Sequence, residues 1–182
     1  GYSPHFISKG YAGIIKNSTQ VEAWHSPTSV GDESLLLAEI APTWIGENRN
    51  KSASLAASKG SDCLIMDDGF QNPNIFKDFS IVVINSSQEF GNKRVIPSGP
   101  LRESIKTGLE RTNLVIVIGK TSEYLKRTIP SHIPIITAKF KINDEKTFKG
   151  QKITAFAGIA YPEKFFTSLK EQGCKIVKEI TY

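Results

Sequence analysis

Asp67-Asp68-Gly69-Phe70-Gln71 follows directly on the apolar run Cys63–Met66. Two carboxylates at the C-terminal end of a buried parallel strand stand where open α/β sheets bind ligands, in the crevice beyond the strand ends. A hard cation such as Mg²⁺ is held by one or two carboxylates together with substrate phosphates. Asp67 and Asp68 therefore suit Walker-B-like metal chemistry. The bland alternative is a plain turn, because Asp and Gly are common turn formers.

Other candidates are more ambiguous. Gly31-Asp32-Glu33-Ser34 precedes Leu35-Leu36-Leu37 and reads first as a helix start, with Asp32 as N-cap and Glu33 in the first turn. A carboxylate at such a junction can also accept a proton from a substrate hydroxyl. Pro97-Ser98-Gly99-Pro100-Leu101-Arg102-Glu103, preceded by Gly91-Asn92, is a stiff loop whose Arg102 could hold a phosphate bidentately. An ordered connector with an exposed arginine is the competing reading. Arg49 is a second phosphate candidate, or simply the residue that opens the following helix. Ser8-Lys9-Gly10-Tyr11-Ala12-Gly13 is a small glycine loop but not a Walker A sequence, and GxxxxGK[ST] occurs nowhere in these residues. His5, His25 and His132 are scattered without metal or triad spacing, so structural or exposed roles are expected.

The elements that must position these groups alternate. Cys63–Met66, Ile81-Val82-Val83-Ile84, Leu114–Ile118 and Ile133-Pro134-Ile135-Ile136 are compact apolar runs, and His5-Phe6-Ile7-Ser8 resembles them. Continuous apolar runs suit strands buried on both faces, as in parallel sheets covered by helices. Helices are expected over 33–40 and over 50–59, the second closed by Gly60. The pattern is that of an α/β fold with right-handed crossovers. Residues 1–138 read as a core domain and 139–151, charged and ending in Lys149-Gly150, as a hinge. Residues 152–182 read as the start of a smaller α/β unit. There Pro162 opens a helix closed by Gly173, Phe165, Phe166 and Leu169 form its apolar face, and a strand lies on either side. Both ends of the chain read as cuts through longer structure.

With 182 residues, 39 % hydrophobic and 23 % charged, the chain has an ordinary globular balance. No run reaches the length of a membrane span and no signal segment opens it, which excludes a membrane-spanning, collagenous or disulfide-stapled class for these residues. Cys63 and Cys174 read as buried thiols in a reducing compartment. The net charge of +5 is dispersed in pairs such as Lys93-Arg94 and Lys126-Arg127. No basic–aromatic module appears, so a nucleic-acid partner is not expected.

Taken in order, six segments become specific. They are Ser-Lys-Gly-Tyr-Ala-Gly at 8–13, Gly-Asp-Glu-Ser-Leu-Leu-Leu-Ala at 31–38, Asp-Asp-Gly-Phe-Gln at 67–71, Phe-Gly-Asn at 90–92, Pro-Ser-Gly-Pro-Leu-Arg-Glu at 97–103 and Ala-Gly-Ile-Ala-Tyr-Pro-Glu-Lys-Phe-Phe at 157–166. This succession resembles the tetraacyldisaccharide 4′-kinases, the lipid A 4′-kinases of Gram-negative bacteria, over essentially the whole chain. The resemblance implies a P-loop-kinase-like, mostly parallel sheet with flanking helices. It implies transfer of the γ-phosphate of ATP, with Mg²⁺, to the 4′-hydroxyl of a tetraacyldisaccharide 1-phosphate at the cytoplasmic face of the inner membrane. By motif it gives Asp32 the catalytic carboxylate, Asp67 and Asp68 the metal and phosphates, and Gln71 and Arg49 places in the active site. It thereby overturns a purely capping role for Asp32. The family pattern has Arg, Pro and His where this chain has Lys9, Ser34 and Asn72. Its Walker A loop and the histidine that partners the catalytic Asp lie outside these residues, so the segment alone is expected to be inactive. A non-catalytic α/β module binding an anionic ligand or a partner chain, and a Mg²⁺-dependent phosphohydrolase, are the competing classes.

Overall fold

The computed structural model describes residues 1–139, 149–159 and 161–182. The chain divides into two compact units, Gly1–Thr137 and Ala138–Tyr182. Most of the expected hinge, 139–151, lies outside the described residues.

The first sheet of the larger unit is built on β1 (Pro4–Ser8), which runs parallel to both β3 (Thr43–Ile45) and β4 (Cys63–Met66). A two-residue strand, β2 (Thr19–Gln20), adds antiparallel to β3, giving the order β2-β3-β1-β4. Three helices belong to this sheet: α1 (Pro27–Val30), α2 (Asp32–Ala38) and α3 (Arg49–Ser58). On one face Ile7 and Trp44 bury against Ala56 of α3, with Leu55 and Met66 packed around them. On the other, Val21, Val30 and Ile45 pack with Leu35 and Ala38 of α2. The Ala- and Ser-rich sequence of α3 lets it sit close to the sheet. Its buried Ser52 hydroxyl reaches the Ile45 carbonyl at 3.2 Å. His5 is buried too, and its Nδ1 accepts from the Trp44 indole Nε1 at 3.2 Å.

The second sheet orders β5 (Ile81–Asn85), β6 (Leu114–Ile118) and β7 (Ile135–Ala138), with β5 and β6 parallel and in register from Ile81↔Leu114 to Asn85↔Ile118. The strands expected in the larger unit thus form two sheets, with β4 and β5 in different ones. Two short helices, α4 (Ile105–Leu109) and α5 (Glu123–Thr128), are capped by Ser104 and Ser122, whose hydroxyls accept from the backbone N–H of Thr107 and Leu125. Their Leu109 and Leu125 join Ile84, Val115, Val117, Ile129 and Ile133 in one core. Burial on both faces, expected from the continuous apolar runs, is not what forms. Helices cover the Ile84–Val115–Val117 face, while Ile81, Val83 and Ile136 on the opposite face are 46 %, 58 % and 53 % exposed. Leu64 and Ile65 on β4 are exposed as well.

The smaller unit is one βαβ turn: β8 (Lys152–Ala157), α6 (Pro162–Glu171) and β9 (Lys175–Thr181), with β8 and β9 parallel. Pro162 stands in the first turn of the helix, and Gly173 follows it in the left-handed region. Phe166 and Leu169 bury against Ala155, Ala157 and Cys174. Phe165, expected on the same apolar face, is 37 % exposed and lies at its edge. Cys174 is buried as expected, but Cys63 is only half-buried, since β4 has no described strand on its outer edge.

Candidate active site

Because β1, β3 and β4 are parallel, their C-terminal ends share one edge of the first sheet. The loops at 9–13, 46–48 and 67–71 leave from that edge. The helix start at Gly31-Asp32 is drawn to it by packing on the first of them. Gly31 has φ +86°, and a Cβ there would meet the Tyr11 carbonyl oxygen at 2.4 Å, so this junction requires glycine.

Gly31, rather than Asp32, occupies the N-cap of α2. The N-cap reading of Asp32 is therefore corrected by one position: glycine is the residue that tolerates the left-handed backbone forced by Tyr11. Asp32 is the first residue of the helix, exposed, and its Oδ1 accepts from the Glu33 N–H at 3.0 Å. Ser34 is buried and donates to the carbonyls of Val30 at 2.6 Å and Gly31 at 2.9 Å, which ties the α1–α2 corner together.

The acidic turn is held from two sides. The Asp67 N–H donates to the Ile7 carbonyl at 3.0 Å, continuing the β1–β4 ladder. Arg49 opens α3, as one reading expected, behind an Asn48 cap whose Oδ1 accepts from the Lys51 N–H. Its guanidinium also crosses to the turn, where Nη1 donates to the Asp68 carbonyl at 3.1 Å and Nη2 to the Asp67 carbonyl at 3.2 Å. Asp68 itself sits at φ +47°, a left-handed conformation that Asp tolerates better than most residues.

The loop between β5 and α4 brings Arg102. Its Nη1 lies 2.8 Å and 3.0 Å from the two carboxylate oxygens of Asp68. The loop that delivers it is stapled. Asn92 Nδ2 donates to the Ser98 carbonyl at 2.8 Å, and the Ile96 N–H donates to the Leu101 carbonyl at 2.8 Å. Any Cβ at Gly99 would strike Asn92 Oδ1 at 2.1 Å.

Beside this network, Gln71 Nε2 donates to Glu103 Oε1 at 2.8 Å. Glu103 also pairs with Arg111, whose guanidinium lies 4.5 Å from the centroid of the Phe70 ring. The Arg111 hydrogen bond holds the Glu103 carboxyl below the ordinary glutamate range, against partial burial that pushes it up, and Gln71 adds to the lowering.

Arg49, Asp67, Asp68 and Arg102, read separately from the sequence, are thus joined in one network, while Gln71 belongs to a neighbouring one with Glu103 and Arg111. Asp32 stands outside it, bonded to its own helix. Glu103 and Arg111 were not singled out. Glu103 adjoins Arg102, which was the one available signal, and nothing local marks Arg111. Among the described residues no group of three or more His, Cys, Asp or Glu side chains could by itself hold a metal ion. Two adjacent carboxylates still suit the hard-oxygen, phosphate-sharing mode in which Mg²⁺ binds.

The fold is that of a P-loop-kinase-like α/β protein. It is similar to the "apo" form of LpxK from Aquifex aeolicus in complex with ATP, with a TM-score of 0.72 at 20 % identity, over 100 % of this chain and 62 % of that one. The model of the tetraacyldisaccharide-1-P 4′-kinase family matches residues 1–182, and the chain belongs to that family. Among curated relatives, the tetraacyldisaccharide 4′-kinase of Rhodospirillum rubrum is 45 % identical over 97 % of this chain, and that of Gluconobacter oxydans 43 % identical over 100 %. The chain spans only 55 % and 56 % of the lengths of those two relatives.

Proposed function

We propose that the whole protein containing this chain transfers the γ-phosphate of ATP to the 4′-hydroxyl of a tetraacyldisaccharide 1-phosphate. The observation that carries the reading is the Asp67–Asp68 turn, fixed by Arg49 and faced by Arg102, at the C-terminal sheet edge of a chain belonging to this family.

In this reading Asp32 accepts the proton of the 4′-hydroxyl while its oxygen attacks the γ-phosphorus. The new O–P bond forms as the bond to the β-phosphate oxygen breaks. Exposure of Asp32 at a helix start keeps the carboxylate reachable. Asp67 and Asp68 would hold Mg²⁺, which when bound neutralises charge on the transferring phosphates. Arg102 exchanges its Asp68 partner for a phosphate oxygen. Arg49, occupied with the two carbonyls, fixes the acids and adds positive charge beside the nucleotide. Gln71 orients polar groups at the same turn.

The lipid acceptor places the protein peripherally on the cytoplasmic face of the inner membrane. No helix among the described residues is long and apolar enough to cross a membrane. The test is phosphate transfer from labelled ATP to the tetraacyldisaccharide 1-phosphate by the whole polypeptide. Asp32→Ala is expected to lower kcat by about 10²- to 10⁴-fold with little change in ATP affinity. A near-native rate removes Asp32 from the proton-accepting role.

A further inference from the structure

We infer that Arg111 is a positioning residue that sets the orientation of the Gln71 carboxamide through Glu103 and Phe70. The inference rests on the reading above, in which Gln71 orients polar groups at the acidic turn.

Two donors converge on a single acceptor atom. Gln71 Nε2 and Arg111 Nη2 both donate to Glu103 Oε1. An ionised carboxylate only accepts, so the NH₂ end of Gln71 must face Glu103 and its carbonyl end must face the opposite way. Whatever fixes Glu103 therefore fixes which end of the Gln71 amide meets a ligand.

Arg111 is built to do this. Its Nη1 donates to the Thr107 carbonyl at 3.1 Å, which pins the guanidinium against α4. The centre of its guanidinium lies 4.5 Å from the centroid of the Phe70 ring, and Phe70 precedes Gln71 in the chain. Arg111 thus grips the turn at two adjacent residues, by hydrogen bonding through Glu103 and by a cation–π contact with Phe70. The fixed fork of a guanidinium lets separate N–H groups hold Glu103 and the Thr107 carbonyl while its centre lies over the ring, which the single nitrogen of an ammonium matches poorly.

Packing alone does not hold Phe70. The ring borders a cavity of about 130 Å³, lined also by Val82, Phe90, Ile105 and Leu109, so one side has room to move. Glu103 is likewise only partly enclosed, with 20 % of its side chain exposed. Without Arg111, both Glu103 and the Phe70 ring gain alternatives, and the Gln71 amide loses its imposed direction.

The experiment uses the whole polypeptide carrying this chain. Arg111→Met is expected to lower kcat about 10- to 100-fold, as misplacement of a positioned group does, with the KM for ATP nearly unchanged. In a Gln71→Ala background the same substitution is expected to cost almost nothing more. Equal losses in the two backgrounds would overturn the inference. Independently of activity, glutamine side chains labelled with nitrogen-15 give a Gln71 NH₂ signal, identified by its disappearance in Gln71→Ala. Arg111→Met should move that signal toward the position of a solvated amide, and an unmoved signal overturns the inference. Arg111→Lys, which keeps the charge but not the fork, should move it in the same direction if Arg111→Met does not fold. Absence of phosphate transfer by the unaltered polypeptide counts against the proposed function alone, and the amide signal still decides the role of Arg111.

Discussion

The carboxylate of Asp68 and the guanidinium of Arg102, 34 residues apart, meet at 2.8 Å and tie the turn after β4 to the stapled loop before α4. Both side chains are more than half exposed, so the pair adds little stability, about 1 kcal/mol or less. Its consequence is positional. Asp68→Asn keeps a residue that tolerates φ +47° and removes only the charge. The expected outcome is a melting temperature close to the parent, with phosphate transfer reduced about 100-fold. Asp68→Val, by contrast, should also lose about 1–2 kcal/mol from backbone strain, read by chemical denaturation.

Gly31→Ala tests the corner that presents Asp32. A methyl group there meets the Tyr11 carbonyl oxygen at 2.4 Å on a backbone at φ +86°. Denaturation should show a loss of about 2 kcal/mol or more, and kcat should fall although Asp32 itself is unaltered. Native stability would show that the α1–α2 corner can shift freely.

The order of elements follows from patterns that are local. Continuous Ile- and Val-rich runs mark β4, β5 and β6, and Pro162 with Gly173 brackets α6 closely. β3 escapes such a reading, because Thr43-Trp44-Ile45 is three residues long and becomes a strand by pairing with β1. α4 and α5, five and six residues long, are too short for helical periodicity and depend on their serine caps and on burial of Leu109 and Leu125. The site divides the same way. Asp67, Asp68 and Arg102 carry their chemistry in residue type and neighbours. The pairings Asp68–Arg102 and Gln71–Glu103 arise only when two sheets come together, and no local signal encodes them.

Acid should loosen the Glu103 corner only after ordinary surface carboxylates have taken up their protons. Arg111 holds the Glu103 carboxyl below its ordinary value of about 4.3, so the native state binds its proton more weakly than the unfolded chain does. Its stabilising contribution is therefore complete above that value and is lost as pH falls through the lowered one. Denaturation of the parent and of Glu103→Gln across pH 7 to pH 3 should give a stability gap that closes only in the acid limb. A gap that is constant with pH would contradict the Arg111 pairing.

The chain of 182 residues on its own should transfer no phosphate, since GxxxxGK[ST] is absent from it. It should also bind a hydrophobic dye and self-associate at micromolar concentration. Ile81, Val83 and Ile136 leave one face of a sheet apolar and open. Light scattering and dye fluorescence check this, and Val83→Lys should reduce both signals without touching the Asp68 turn.

The two tryptophans of this chain, both on the larger unit, differ in almost every physical respect. Trp44 is 5 % exposed and bonded to His5, whereas Trp24 is 79 % exposed beside His25. Their fluorescence should accordingly separate into a blue-shifted component that acrylamide barely quenches and a red-shifted one that it quenches readily. Trp24 stands just ahead of α1 and the corner that carries Asp32, while Trp44 lies inside the sheet. One chain thus contains two natural optical reporters: one follows the surface next to the candidate base, and the other follows the integrity of the scaffold.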